Sequence, residues 1–146
     1  MNIVLTRLFT KGEYCHGRLS IEGMNICSTL ENSSSMVPAG EYPITLIHCK
    51  QHARKMICLN PKAPCTLCEK SLNSQPSSLN FTLPCYCPQI KPGNGVHNRL
   101  DGSILVGQYN CLNSLIHPRD VFDPLYERIR KAISRGTVVT LTVKDG

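Results

Sequence analysis

The chain of 146 residues has no tryptophan and only 5% aromatic residues, so its core has to rest on leucine, isoleucine and valine. No apolar run approaches the roughly 20 residues that a helix needs to cross a bilayer. The opening MNIVLTRLF turns polar before it reaches the length of a signal-peptide core, and no small-residue cleavage site follows it. The default expectation is therefore a cytoplasmic protein without a membrane span, unless export uses a route that needs no N-terminal signal. No internal repeat is visible, and no Gly-Lys-Ser/Thr phosphate loop opens a helix. Disorder is excluded by composition, since hydrophobic residues make up 41% and charged residues only 18%. The net charge of +6 is mild and scattered, so nucleic acid is not an expected partner. Two local groupings stand out, Lys50, His52, Arg54 and Lys55, then Arg128, Arg130, Lys131 and Arg135. The second lies on a predicted helix and reads as its solvated face.

What is present reads as one α+β domain over residues 1–146, mostly antiparallel strands in a small barrel-like or sandwich sheet. Asn2 to Phe9 alternates apolar and polar residues, with Ile3, Leu5 and Leu8 predicted inward. Lys11-Gly12 supplies a turn into Tyr14 to Ile21, and Glu22-Gly23 reverses the chain into Met24 to Leu30. After the Val37-Pro38-Ala39-Gly40 punctuation, Glu41 to Cys49 reads as one strand, Met56 to Leu59 as a short one and Ser103 to Gly107 as a buried one. Pro118 to Arg135 is the clearest helix, because Phe122, Leu125, Ile129 and Ile133 recur at helical spacing and Gly136 is placed to end it. Pro124 belongs in a first turn, which puts the predicted start near Pro118 to Asp120. Thr137 to Val143 alternates again and makes a closing strand.

Residues 60–92 differ in kind. Prolines fall at positions 61, 64, 76, 84, 88 and 92, and the stretch from Ser71 to Asn80 is polar without a useful period. Such a Cys/Pro-rich insert has little apolar surface to bury, so something else has to order it. Cys65-Thr-Leu-Cys68 and Cys85-Tyr-Cys87 flank its polar part. Four thiolates at tetrahedral distances satisfy zinc, and a structural zinc contributes folding energy directly. Nine cysteines, an odd number, cannot all pair within the chain, and a reducing compartment argues against a disulfide framework. Reduced free thiols, or iron in place of zinc, remain the alternatives. Cys58, Cys49, His48 and His52 are possible substitutes for one ligand. Cys15, Cys27 and Cys111 read as packing residues, and His16 and His117 as surface or locally bonded imidazoles.

The segment from Lys91 to Ser103 gathers three glycines with Asn94, His97, Asn98, Arg99 and Asp101, just before an apolar strand. Glycines allow close backbone approach there, and the polar side chains are candidates to converge on one mouth. Read from composition alone, the segment is either a structural loop or a binding or reactive site.

Taken together, several pieces carry a resemblance to a known family. They are MNIVLTR, Gly17-Arg18-Leu19, Thr29-Leu30-Glu31, Val37-Pro38-Ala39-Gly40-Glu41-Tyr42, Gly93-Asn94, and Asp101-Gly102 with Ile104-Leu105-Val106-Gly107. The chain resembles a domain family of unknown function carried by phages and by Bacteroidales genomes. Many relatives in that family have a histidine shortly before the Gly-Asn pair and a cysteine after the Asp/Gly pair. That arrangement is similar to the histidine and nucleophilic cysteine of L,D-transpeptidases, which cross-link peptidoglycan stem peptides on a β-rich scaffold. In this chain Lys91 stands at the histidine position and Ser103 at the cysteine position. A serine hydroxyl is a far weaker nucleophile than a thiolate unless a base touches it.

Three functional expectations follow. The first is a non-catalytic, ligand-binding domain whose Asn94, Asn98 and Arg99 hold a cell-wall-related glycan or peptide, with zinc on Cys65, Cys68, Cys85 and Cys87. The second is an acyl transferase or peptidase acting on peptidoglycan through Ser103, with Lys91, His97 or Asp101 assisting. The third is a phage or mobile-element accessory protein whose partner is another protein.

Overall fold

The structure, a computed structural model, describes residues 1–49, 54–59, 88–96, 102–111 and 113–146. The described strands, in chain order, are β1 (Asn2–Lys11), β2 (Tyr14–Ile21), β3 (Met24–Asn32), β4 (Gly40–Pro43) and β5 (Thr45–Cys49). They continue with β6 (Arg54–Cys58), β7 (Gln89–Pro92), β8 (Ile104–Cys111) and β9 (Ser114–Ile116), and after helix α1 (Pro118–Ser134) the chain closes with β10 (Thr140–Asp145). Among the described residues the fold is α+β and mostly β, with one helix near the C-terminal end.

The strands lie in the order β4-β10-β1-β2-β3-β8-β7-β6-β5, with β9 added beside β8. Two neighbouring pairs, β1–β10 and β7–β8, are parallel, and the others are antiparallel. The two ends of this order, β4 and β5, are consecutive in the chain with only Ile44 between them. The sheet therefore bends round until its edges almost meet, giving a nearly closed barrel. Ile44 is buried and donates its N–H to the Val139 carbonyl at 2.9 Å, which anchors the crossing point. Edges brought together in this way expose little unpaired backbone to other chains.

One face of the sheet carries the core. Ile3, Leu5, Leu19, Ile21, Ile57, Ile90, Ile104, Val106, Leu141 and Val143 gather there, and Phe122, Leu125, Ile129 and Ala132 of α1 close over them. The helix packs on β7 and β8, so its apolar stripe faces the strands that carry Lys91 and lead from Ser103. A smaller cluster of Leu30, Val96, Leu105 and Leu115 lies on the other face of β3 and β8.

Several expectations need correction. Leu8 is 46% exposed, because the alternation that buries Ile3 and Leu5 continues to position 7 and leaves position 8 outward. Arg7 takes the inward place instead. Its guanidinium reaches Glu31 with two hydrogen bonds, 3.0 Å from Nε and 2.9 Å from Nη2, and donates to the Val37 carbonyl at 2.6 Å. The expected strand from Glu41 to Cys49 is two strands, broken where Pro43 ends β4 and the chain passes to the far edge. Pro124 lies in the second turn of α1, not the first; it is exposed, so the hydrogen bond it cannot donate is lost on the solvent side. Two strands were not foreseen at all. β7 hides inside the proline-rich stretch, and β9 is only three residues long.

Candidate functional site

The parallel pairing of β7 with β8 brings the two ends of the glycine-rich segment together. Ile90 lies opposite Ile104, Lys91 opposite Leu105 and Pro92 opposite Val106. Ser103, one residue before β8, therefore sits beside Gln89, and its Oγ accepts the Gln89 backbone N–H at 3.3 Å. Gly102 holds φ +77°, a left-handed backbone that turns the chain into Ser103 and β8. Strand alternation puts Ile90 and Ile104 on the core face. Gln89, Lys91 and Ser103 thus share the opposite face, where all three are at most 5% exposed.

That face continues across two more strands. Gln89 is in register with Cys58 of β6, and Cys58 with Thr45 of β5. Thr45, Cys58, Gln89 and Ser103 form a transverse row of polar groups behind the parallel apolar row of Leu46, Ile57, Ile90 and Ile104. Cys58 is fully buried in this row, and Cys49 and His48 occupy the far end of β5, where His48 is exposed.

Of the other candidates, Asn94 is exposed and partly committed to the fold. Its Nδ2 donates to the Leu115 carbonyl at 2.9 Å, and its own carbonyl accepts the Leu115 N–H at 2.8 Å, tying the loop to β9. His97, Asn98, Arg99 and Asp101 lie outside the described residues, as do Cys65, Cys68, Cys85 and Cys87. Among the described residues, no group of three or more His, Cys, Asp or Glu side chains is arranged to hold a metal ion.

Of the two expectations for His16, surface or locally bonded, the surface one fails, since the residue is 2% exposed and stacked at 5.0 Å against Phe9, with Tyr109 edge-on at 5.2 Å. His117 is exposed and locally bonded, its Nδ1 lying 3.5 Å from an Asp120 carboxylate oxygen. Of the basic residues on α1, Arg130 pairs with Glu127 on the exposed face, its Nη2 2.8 Å from the carboxylate.

The three cysteines expected to pack in the interior behave differently from one another. Cys15 is fully buried, and burial pushes its thiol up. Cys27 is half-buried, and burial raises its thiol to about 12. Cys111 instead faces solvent at the rim of a cavity of about 410 Å³ lined also by Lys11, Gly12, Tyr14 and Asn113. Hydrogen bonds from the Ser114 hydroxyl and the Asn113 backbone N–H favour its thiolate and lower its pKa. Limited alkylation with iodoacetamide at mildly basic pH is accordingly expected to label Cys111 well before Cys15 or Cys27. Peptide mass spectrometry reads the order, and earlier labelling of Cys15 or Cys27 would contradict it.

The sequence reading missed Gln89 and Thr45. No local pattern marks either residue, and only the register of four strands sets them in line with Ser103. Comparison of the chain with family models, with curated proteins and with solved structures gave no match, so the site is argued from its own geometry.

Proposed function

We propose that this chain is a non-catalytic, ligand-binding protein whose site lies on the Lys91–Ser103 side of β7 and β8. Its ligand is a peptide or glycan of the cell-wall type. The observation that supports this reading over acyl transfer is the state of Ser103. A nucleophilic serine needs its Oγ open to a substrate carbonyl. Here the Oγ is 3.3 Å from the Gln89 backbone N–H, whose hydrogen bond it accepts, and the residue is 3% exposed. Such a hydroxyl braces the start of β8. With lysine and serine at the two positions where the resembling family carries histidine and cysteine, the scaffold keeps the loop and gives up the thiolate. Asn94, Asn98 and Arg99 are the proposed ligand contacts.

The test is to titrate the purified chain with soluble peptidoglycan fragments by calorimetry and to analyse the same mixtures for products by mass spectrometry. Saturable binding with fragment masses unchanged is the expected result. Cleavage or cross-linking that disappears in Ser103→Ala would replace this reading with a serine-dependent enzyme, and absence of any binding would remove the cell-wall ligand.

The same proposal has residues 60–87 held by a structural zinc on Cys65, Cys68, Cys85 and Cys87. The ends of this segment are already closed by the sheet. Cys58 pairs with Gln89, and the Leu59 N–H donates to the Pro88 carbonyl at 3.0 Å. A metal would then order the excursion without being needed for the barrel. Native mass spectrometry of freshly reduced protein is expected to find one zinc per chain. Stripping it with a chelator should leave the far-ultraviolet circular dichroism of the barrel largely intact. Metal-free reduced protein would end the zinc proposal.

A further inference from the structure

Buried polar groups in folded proteins nearly always have a hydrogen-bond partner, so each exception asks for an explanation. Two exceptions fall in the transverse row just described. Gln89 is 1% exposed, and neither its side-chain Nε2 nor its Oε1 makes a hydrogen bond. Two strands away in the same row, the Thr45 Oγ1 is also buried and without a partner. Neighbouring strands are about 4.8 Å apart, which separates the two positions by roughly 10 Å. That is about the span of three residues of extended chain, at roughly 3.3 Å per residue.

We infer that this row is where the ligand is read, and that what Gln89 reads is the backbone of an extended peptide. The inference rests on the binding function proposed above and names the chemistry of its ligand. A primary carboxamide carries two N–H donors and a carbonyl oxygen with two lone pairs in one plane, and along one edge a donor and an acceptor lie side by side. The backbone N–H and C=O of one residue in an extended peptide point to the same side, so they satisfy both at once, donating to Oε1 and accepting from Nε2. A peptide laid across β5 to β8 would bring a second polar group to the Thr45 hydroxyl. Glycan hydroxyls can meet either atom singly, but an extended peptide residue matches the pair. Ser103 holds the Gln89 backbone in place through its 3.3 Å contact and so positions the carboxamide without touching the ligand. Gln89 is buried, so a peptide reaches it only when that face opens, and binding is linked to the opening equilibrium.

An orphaned buried amide lowers the stability of the free protein, and this separates a binding role from a packing role. Gln89→Leu and Thr45→Val keep shape while removing the unmatched groups. Both variants are expected to unfold at the wild-type temperature or above it. Both should bind a peptidoglycan stem tetrapeptide about tenfold or more weakly than the wild type, the loss expected from one or two hydrogen bonds to a desolvated partner. The measurements are thermal melts and calorimetric titrations of the full chain with that tetrapeptide and with an unrelated acetylated L-tetrapeptide.

Stem-peptide affinity unchanged in both variants would overturn the amide row and leave the cell-wall reading standing. Gln89-dependent binding of the unrelated peptide, equal to that of the stem peptide, would keep the row and overturn the cell-wall reading. No binding of either peptide by the wild type would overturn both. A lowered melting temperature with unchanged affinity would show Gln89 satisfied within the fold, by interior water for example, and would also overturn the inference.

Discussion

Replacing Arg7 with methionine is expected to cost about 3–5 kcal/mol of unfolding free energy, the usual loss when one partner of a buried ion pair is removed. Glu31 is fully buried and Arg7 is 7% exposed, so solvent cannot take over from a missing guanidinium. Burial opposes the charge on Arg7, but the hydrogen bond and the charge of Glu31 outweigh it and hold the guanidinium above its ordinary pKa. The same group donates to the Val37 carbonyl, so the methionine variant also releases the loop that leads into β4. Urea denaturation of the two proteins measures the difference. A second variant sharpens the test. Arg7→Met combined with Glu31→Leu removes both charges and should recover most of the loss, since apolar replacement of a whole buried pair is often close to neutral. A double variant as unstable as the single one would place the cost in packing or in the Val37 contact instead of the uncompensated carboxylate.

Gly17→Ala is the second large effect, expected at about 2–3 kcal/mol, the upper part of the range for forcing volume into a packed interior. A Cβ at position 17 would lie 2.7 Å from the Thr29 Oγ1 and 2.8 Å from the Thr6 carbonyl oxygen, with the Leu5 Cδ1 at 3.0 Å. The leucine methyl and the threonine rotamer can give way. The Thr6 carbonyl cannot, because β1 and β2 are locked in register on either side of it. The clash has to be relieved by separating two strands at the centre of the sheet. Chemical denaturation of Gly17→Ala measures this, and a loss below about 0.5 kcal/mol, the scatter of ordinary surface substitutions, would show that the strands can part freely. The glycine of the Gly17-Arg18-Leu19 motif thus has a reason in strand packing, separate from any ligand.

Much of the architecture was legible in the residues. Alternation marked β1, β2, β3 and β10, and the 3.6-residue spacing of Phe122, Leu125 and Ile129 marked α1, because side-chain direction has a fixed period in each element. Position 7 shows where that logic stops. Alternation from Ile3 and Leu5 turns it inward, but the residue there is an arginine, and composition gives no sign that a charged group can be buried. The answer depends on Glu31, two strands away. Pro43 falls inside the stretch Glu41 to Cys49 that reads as one strand, and the break it makes was not legible. Whether the chain resumes in the same strand or crosses to the opposite edge depends on barrel closure, a property of all the strands at once.

The candidate site divides along the same line. Lys91 and Ser103 could be picked out as polar residues flanking glycines, because composition is local. Their common face with Gln89 comes from the parallel β7–β8 pair, and the line through Cys58 to Thr45 comes from two further ladders. The sequence by itself determined the strand-rich class, the one amphipathic helix and the contrast between a proline-rich insert and its apolar surroundings, since these follow from periodicity and composition within short windows. Tertiary structure alone decided that Arg7 faces Glu31, that the sheet nearly closes through Ile44, and that Thr45, Cys58 and Gln89 stand in one row with Ser103 at the entrance to β8. Registers between distant strands are chosen by the packing of the whole sheet, and no single segment carries that information.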